Sequence, residues 1–241
     1  MTLSLTVSDE VRALAPGFTH LTVEAYGLVN GPSTDGTSEL LDDAARRLAA
    51  RLDGRAPHED PHMAAWREVY TAFGSKPSRT RNSAEALAKR ALSDAGLPRI
   101  NVLVDLYNAI SVAHLIPVGG EDLDRIQGGM CLVRATGEED FVTVAAGEET
   151  VEHPDAGEVV WCDEKGVTCR RWNWRQGPRT RLTEESTSAV FLLESLAPMP
   201  VADVEAAGSE LAELLEKFSP GARITVHVPR YEWSLSGPRR P

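Results

Sequence analysis

Four stretches of the chain carry side chains of the kinds that do chemistry. Asp105-Leu106-Tyr107-Asn108 sets a carboxylate, a phenol and an amide inside an apolar run. If buried, Asp105 and Asn108 need hydrogen-bond partners, so they are either structural anchors or residues of a site. Pro117-Val118-Gly119-Gly120-Glu121-Asp122 reads as a tight turn, whose free backbone N–H groups around Gly119 and Gly120 suit an oxyanion. Arg170-Arg171-Trp172-Asn173-Trp174-Arg175 mixes two tryptophans with three arginines. Such a run suits base stacking by Trp172 and Trp174, with Arg171 and Arg175 on phosphate or carboxylate. The competing reading is a strand whose tryptophans are core and whose arginines are solvated. The fourth stretch, Trp66 to Pro77, is rich in aromatics, with Tyr70 and Phe73 before Gly74.

Familiar catalytic and cofactor signatures do not occur. The sequence holds no phosphate loop, no GxSxG elbow and no HExxH, so it calls for no cofactor. Cys162 and Cys169 fall on opposite arms of an expected hairpin with its tip at Glu164-Lys165-Gly166. Zinc takes about four ligands, and no second pair accompanies them, so no metal site is expected. His58 and His62 lie beside Glu59 and Asp60, a pattern that reads as solvated surface.

The elements that must position these groups are legible from periodicity. Alternation around Phe18 to Val23 predicts a strand, and Asn30-Gly31-Pro32-Ser33 breaks it. Leu41, Ala44, Ala45, Leu48 and Leu52 recur at helical spacing from Ser38 onward. A second helix runs through Met63, Trp66 and Val69 to Tyr70, and a third opens at Ser83 and ends near Gly96. Residues 100–116 are apolar all round and fit a buried helix or a strand running into one. Short β-like runs follow at 130–135, 140–145, 158–162, 167–172 and 189–193. A final helix carries Val204, Ala207, Leu211 and Leu215 to Ser219-Pro220-Gly221, before a last strand at 223–228. The order is α+β, a mostly antiparallel sheet flanked by helices. A single domain is expected over 1–235, with 236–241 a flexible tail.

Bulk properties narrow the partners. The chain has 241 residues, 42% hydrophobic and 25% charged, enough to bury a sizeable core. No apolar run approaches the roughly 20 residues that cross a bilayer, and the N-terminus lacks a leader pattern. Three cysteines, Cys131, Cys162 and Cys169, are too few for a disulfide scaffold. A cytoplasmic location away from membranes is the expectation. A net charge of -11, from 36 acidic and 25 basic residues, argues against broad nucleic-acid binding. Six cations between Lys165 and Arg181 nevertheless leave room for one local basic face.

Taken together, these segments resemble the B3/B4 domain of the phenylalanyl-tRNA synthetase β subunit, its editing domain, over roughly residues 60–200. The resemblance rests on Asp105 with Asn108, Pro117, Arg134 with Glu138, Thr183 to Thr187, and Leu192-Leu193-Glu194-Ser195. It is nearest to free-standing bacterial proteins of this kind, in Trp66 to Pro77, Pro117 to Gly120 and Arg171 to Arg175. It implies a B3/B4-like fold and a pocket for an aminoacyl group, lined by Glu194 and Asn108 and completed by Tyr107, Gly119 and Gly120. It also implies contact of Arg171, Trp172, Trp174 and Arg175 with the 3′ end of tRNA or aminoacyl-tRNA. The family's turn histidine falls on Gly119, its Met-Gly-Gly loop is replaced by Arg171 to Arg175, and its Thr-Asp-Ala segment has no counterpart. Two functions follow as expectations: an editing-type aminoacyl-tRNA hydrolase or RNA binder, or a non-catalytic module for an amino-acid-like small molecule.

Overall fold

The computed structural model describes residues 3–145 and 147–228. The expected loose tail at 236–241 lies outside them. In chain order the elements are β1 (Leu5–Val7), α1 (Asp9–Leu14), β2 (Thr19–Tyr26), α2 (Asp35–Leu52), α3 (Pro61–Ala72), α4 (Ser83–Ala91) and α5 (Val102–His114). There follow β3 (Val118–Asp122), β4 (Met130–Arg134), β5 (Phe141–Ala145), β6 (Glu148–Glu152), β7 (Val159–Asp163), β8 (Gly166–Arg170), β9 (Arg175–Gln176), β10 (Ser188–Ser195), α6 (Val201–Phe218) and β11 (Arg223–His227).

Two sheets organise the molecule. One runs β11-β2-β10-β3, antiparallel throughout; the other runs β1-β4-β7-β8-β9, parallel only at β1–β4. β5 and β6 form a separate hairpin. This is the α+β, mostly antiparallel architecture expected. Among the described residues no helix is long and apolar enough to cross a membrane.

β10 explains why there are two cores. Its side chains alternate across the sheet. Val190 and Leu192 join Leu132, Trp161, Trp66 and Trp172 on one face, while Ala189, Phe191 and Leu193 join Leu21, Val23, Leu106 and Leu211 on the other. A strand covered on both faces has no polar side to show, hence the unbroken Ala189 to Leu193 run.

Local chemistry sets the helix ends. Thr34 and Thr37 form a reciprocal cap that starts α2 three residues before the expected Ser38. Asp60 accepts from the His62 N–H with Pro61 at the first helical position, which fixes the start of α3. Asn101 caps α5 and Leu115, at φ 53°, ends it, so the ambiguous 100–116 stretch is a helix. α1 was not anticipated; Ser8 accepting from the Val11 N–H is its cap, three residues long in sequence and easily lost inside a strand-like pattern.

Two expectations fail. The 117–120 segment is strand β3 and no turn, because β10 pairs with it from Leu193↔Val118 to Ala189↔Asp122. His62 is buried at 2% exposure: its Nε2 accepts from the Trp66 indole (3.0 Å) and the Leu196 N–H (3.2 Å), leaving Nδ1–H for the Leu115 carbonyl at 3.1 Å. Burial pushes its pKa down to about 4, so it is a neutral cross-tie of the core.

Candidate ligand-binding site

A cavity of about 330 Å³ opens where the first sheet meets α4, α5 and the chain between β8 and β9. That volume lies at the small end of ligand sites. β10 contributes Leu192 and Glu194 and β3 contributes Gly119 and Glu121, because these residues share one face of the sheet through the Leu192↔Gly119 and Val190↔Glu121 register. α5 supplies Tyr107 and Asn108, one turn apart from Val104. Trp161, Trp172 and Trp174 form most of the opposite wall.

Glu194 is 2% exposed and fully engaged by the protein. Its Oε1 accepts from the indoles of Trp161 (2.9 Å) and Trp172 (3.0 Å), and its Oε2 accepts from the Asn173 amide at 2.9 Å. Tyr70 in turn donates to Asn173 Oδ1 at 2.8 Å. Burial pushes the Glu194 pKa up to about 7, against the pull of these three donors. The donors reach inward because Arg171 and Trp172 both adopt left-handed φ, 46° and 67°. Such angles are unfavourable for bulky residues and cost on the order of 1–3 kcal/mol each. Trp172 N–H to the Val159 carbonyl at 2.6 Å and Trp174 N–H to the Arg170 carbonyl at 3.2 Å hold the reversal in place.

The other predicted residues divide sharply. Asn108 is 5% exposed and makes no hydrogen bond to any described residue; the Tyr107 hydroxyl makes none either. Burial, with the Glu121 charge adding to it, raises the Tyr107 pKa well above the ordinary range, so the hydroxyl stays a donor. Asp105, by contrast, is an anchor: Thr37 Oγ1 and the Ile100 N–H both donate to it. Gly119 lines the cavity with open space where a Cβ would stand. Gly120 faces the other way, where a Cβ would sit 2.9 Å from both Tyr107 Cε1 and Leu182 Cδ1. Its role is close packing under the Tyr107 ring.

The backbone of this segment offers fewer free donors than a turn would. Glu194 N–H donates to the Pro117 carbonyl at 3.0 Å, which by antiparallel alternation commits Gly119 to a bonded pair with Leu192. Gly120 then directs its N–H and C=O to the outer edge, where Gln176 Nε2 donates to the carbonyl at 2.8 Å.

Within the Trp/Arg run Arg170, Trp172 and Asn173 are buried, while Arg171, Trp174 and Arg175 are partly exposed. Trp172 is 0% exposed and packs edge-on against Trp66 and Phe18, so it presents no face to a base. Arg170 is held by Glu158 (2.9 and 2.8 Å) and by Glu152 at 2.9 Å. Arg171 lies 3.4 Å from both Asp155 and Glu158 and stacks 4.7 Å over the Trp174 ring. Arg175 pairs with Glu152 at 3.3 Å and donates to Thr143 Oγ1 at 2.6 Å. The acidic 152–158 stretch therefore neutralises the local basic face. Neither Arg171 nor Arg175 lines the cavity.

One residue of the site carried no signal of its own in the sequence. Glu121 is 4% exposed, and its Oε2 is shielded from solvent without a well-formed hydrogen bond, with the Thr180 hydroxyl and the Gln176 amide nearby. Burial pushes its pKa up to about 8, although Thr180, Gln176 and Arg179 pull it down. Only its place between two glycines and Asp122, in what looked like a turn, was visible beforehand.

The B3/4 domain family matches residues 65–219, more than half of the chain. No curated protein matches it. Among solved structures, an N-terminal fragment of the phenylalanyl-tRNA synthetase beta-subunit from Pyrococcus horikoshii is similar, at 13% identity and a TM-score of 0.44. The alignment covers 93% of this chain and 50% of that one, so the chain spans about half of that fragment's length. The motifs from Trp66 to Glu194, and the cavity they line, lie inside the family match, and the chain belongs to the B3/4 domain family.

Proposed function

We propose that this B3/4 domain binds an amino-acid-like small molecule in the cavity between α5, β3 and β10. The observation that carries this reading is the set of polar groups left without partners there: the Asn108 amide, the Tyr107 hydroxyl and the Glu121 Oε2. Among these, Glu121 Oε2 is shielded from solvent, and a ligand that satisfies it recovers the cost of leaving it unpaired, while the Asn108 amide and the Tyr107 hydroxyl are open to a ligand. Leu192, Trp161 and Trp174 supply apolar walls for a side chain. Glu194 shapes the floor, held there by its three protein donors.

The deacylase reading, with tRNA as partner, has less support. It relied on free N–H groups at 117–120 and on a Trp/Arg face; the Gly119 N–H is committed to the ladder, Trp172 is fully buried, and Arg171 and Arg175 are engaged by Asp155, Glu158 and Glu152. Binding without hydrolysis is the function the geometry favours. Isothermal titration against free aromatic amino acids and their amides tests it. Saturable binding that disappears in Gly119→Phe, whose side chain would fill the cavity, is the expected result. Unchanged binding in that variant would remove the cavity from the account.

A further inference from the structure

Among the described residues the cavity is lined by two carboxylates and by no lysine, arginine or histidine. A ligand carboxylate entering it would meet Glu121 and Glu194 with no cation to offset them. An ammonium group would meet the opposite situation. Glu194 is already surrounded by three N–H donors, which spread its charge into the protein. Glu121 has an unpaired Oε2, and the donors around it are mostly engaged elsewhere: Arg179 forks onto Asp163 at 2.8 and 2.6 Å, and Gln176, which lies near the carboxyl, donates to the Gly120 carbonyl. The Thr180 hydroxyl close by is itself without a partner. Besides these, Tyr107 from α5 and Cys169 from β8 face Glu121, and both stay neutral because burial raises their pKa values.

Resting on the cavity reading above, we infer that Glu121 is the recognition residue for a ligand ammonium group. The ligand class is a primary amine on an aromatic or apolar body, with no free carboxylate: an amine, or an amino acid whose carboxyl is esterified or amidated. The amine would give Glu121 its charge-assisted hydrogen bonds. The Tyr107 hydroxyl and the Asn108 amide remain to hold a carbonyl.

Binding of this kind expels a proton. Free Glu121 ionises at about 8, and a bound ammonium stabilises the ionised form, so affinity rises with pH towards 8 and the complex sheds a proton below it.

Three probes separate the possibilities: phenethylamine, L-phenylalanine methyl ester and the neutral isostere 2-phenylethanol. For the wild type at pH 8, the first two are expected to bind about 10- to 100-fold more tightly than the alcohol. Glu121→Gln should remove that preference while keeping alcohol binding. As a readout independent of the variant's folding, the wild-type enthalpy for phenethylamine at pH 7 should depend on buffer ionisation in the sense of proton release. Equal binding of amine and alcohol, or an amine preference that survives Glu121→Gln, overturns the Glu121 inference and leaves the cavity reading intact. Absence of saturable binding by all three overturns the cavity reading as well.

Discussion

Glu194 and Glu121 sit on neighbouring strands, face the same cavity and are both almost fully buried, yet they live in opposite chemical circumstances. Glu194 holds three hydrogen bonds from Trp161, Trp172 and Asn173, whereas Glu121 keeps its shielded Oε2 unpaired. The strand register separates their Cα atoms by roughly 14 Å, from four residues of rise and one strand spacing. The first ties β10 to β7 and to the left-handed turn at Arg171-Trp172. The second ties nothing. A buried carboxylate held on both oxygens is part of the scaffold, and one with a shielded oxygen left unpaired is a cost the fold carries without structural return. That difference marks Glu121, more than the residue suggested by family resemblance, as the group waiting for a ligand.

Breaking each carboxylate should give opposite results. Glu194→Ala leaves three buried donors unpaired and opens space, and should destabilise by about 3–5 kcal/mol, measured by urea denaturation. Glu121→Gln should leave stability unchanged or raise it at pH 8, since it removes a buried charge with an unpaired oxygen. If both variants lose stability equally, the contrast between the two sites is wrong.

Gly120→Ala sharpens the packing side of the comparison. Its Cβ would press on Tyr107 and Leu182, and a loss of about 1–3 kcal/mol is expected. Trp172→Phe, which deletes one indole donor to Glu194 and leaves a small void against Phe18 and Trp66, should cost about 1–3 kcal/mol in the same assay.

The pH profile gives a subtler test. Both carboxylates have folded pKa values raised from 4.5, to about 7 for Glu194 and about 8 for Glu121. The folded state therefore binds more protons than the unfolded chain between these limits. Their contribution to stability is full below pH 4.5 and is lost as pH rises to about 8. Glu121→Gln should flatten the upper part of this decline, between pH 7 and 8. The smallest effect is expected at Gly119→Phe, within about 0.5 kcal/mol of wild type, because its side chain enters open space.

How much of this was written in the sequence depends on which residues are asked. The stripes of α2 and α6 were plain, because one face of each helix is wet and the other buried. α5 is covered on nearly every side, so its periodicity vanishes and helix and strand look alike until Asn101 is seen as a cap. β3 was illegible for a different reason: Pro117 and two glycines carry turn chemistry, and only the long-range pairing with β10 overrides it. Tyr107, Asn108, Gly119 and Glu194 were named in advance and do share one cavity, while Gly120 packs behind it. For Arg171, Trp172, Trp174 and Arg175, expected on a nucleic-acid face, composition shows aromatic and basic residues without showing that positive φ angles at Arg171 and Trp172 bury the Trp172 ring. Glu121 was passed over because a lone acid beside glycines has no pattern; its unpaired oxygen exists only in three dimensions.

The most direct test of a cavity built around Glu121 is a crystal structure of the protein soaked with phenethylamine. The account predicts the ring against Trp161 and Trp174, with the nitrogen about 2.8–3.0 Å from the Glu121 carboxylate. An empty cavity, or the amine seated instead in the groove between Phe18, His20 and Val204, would contradict it.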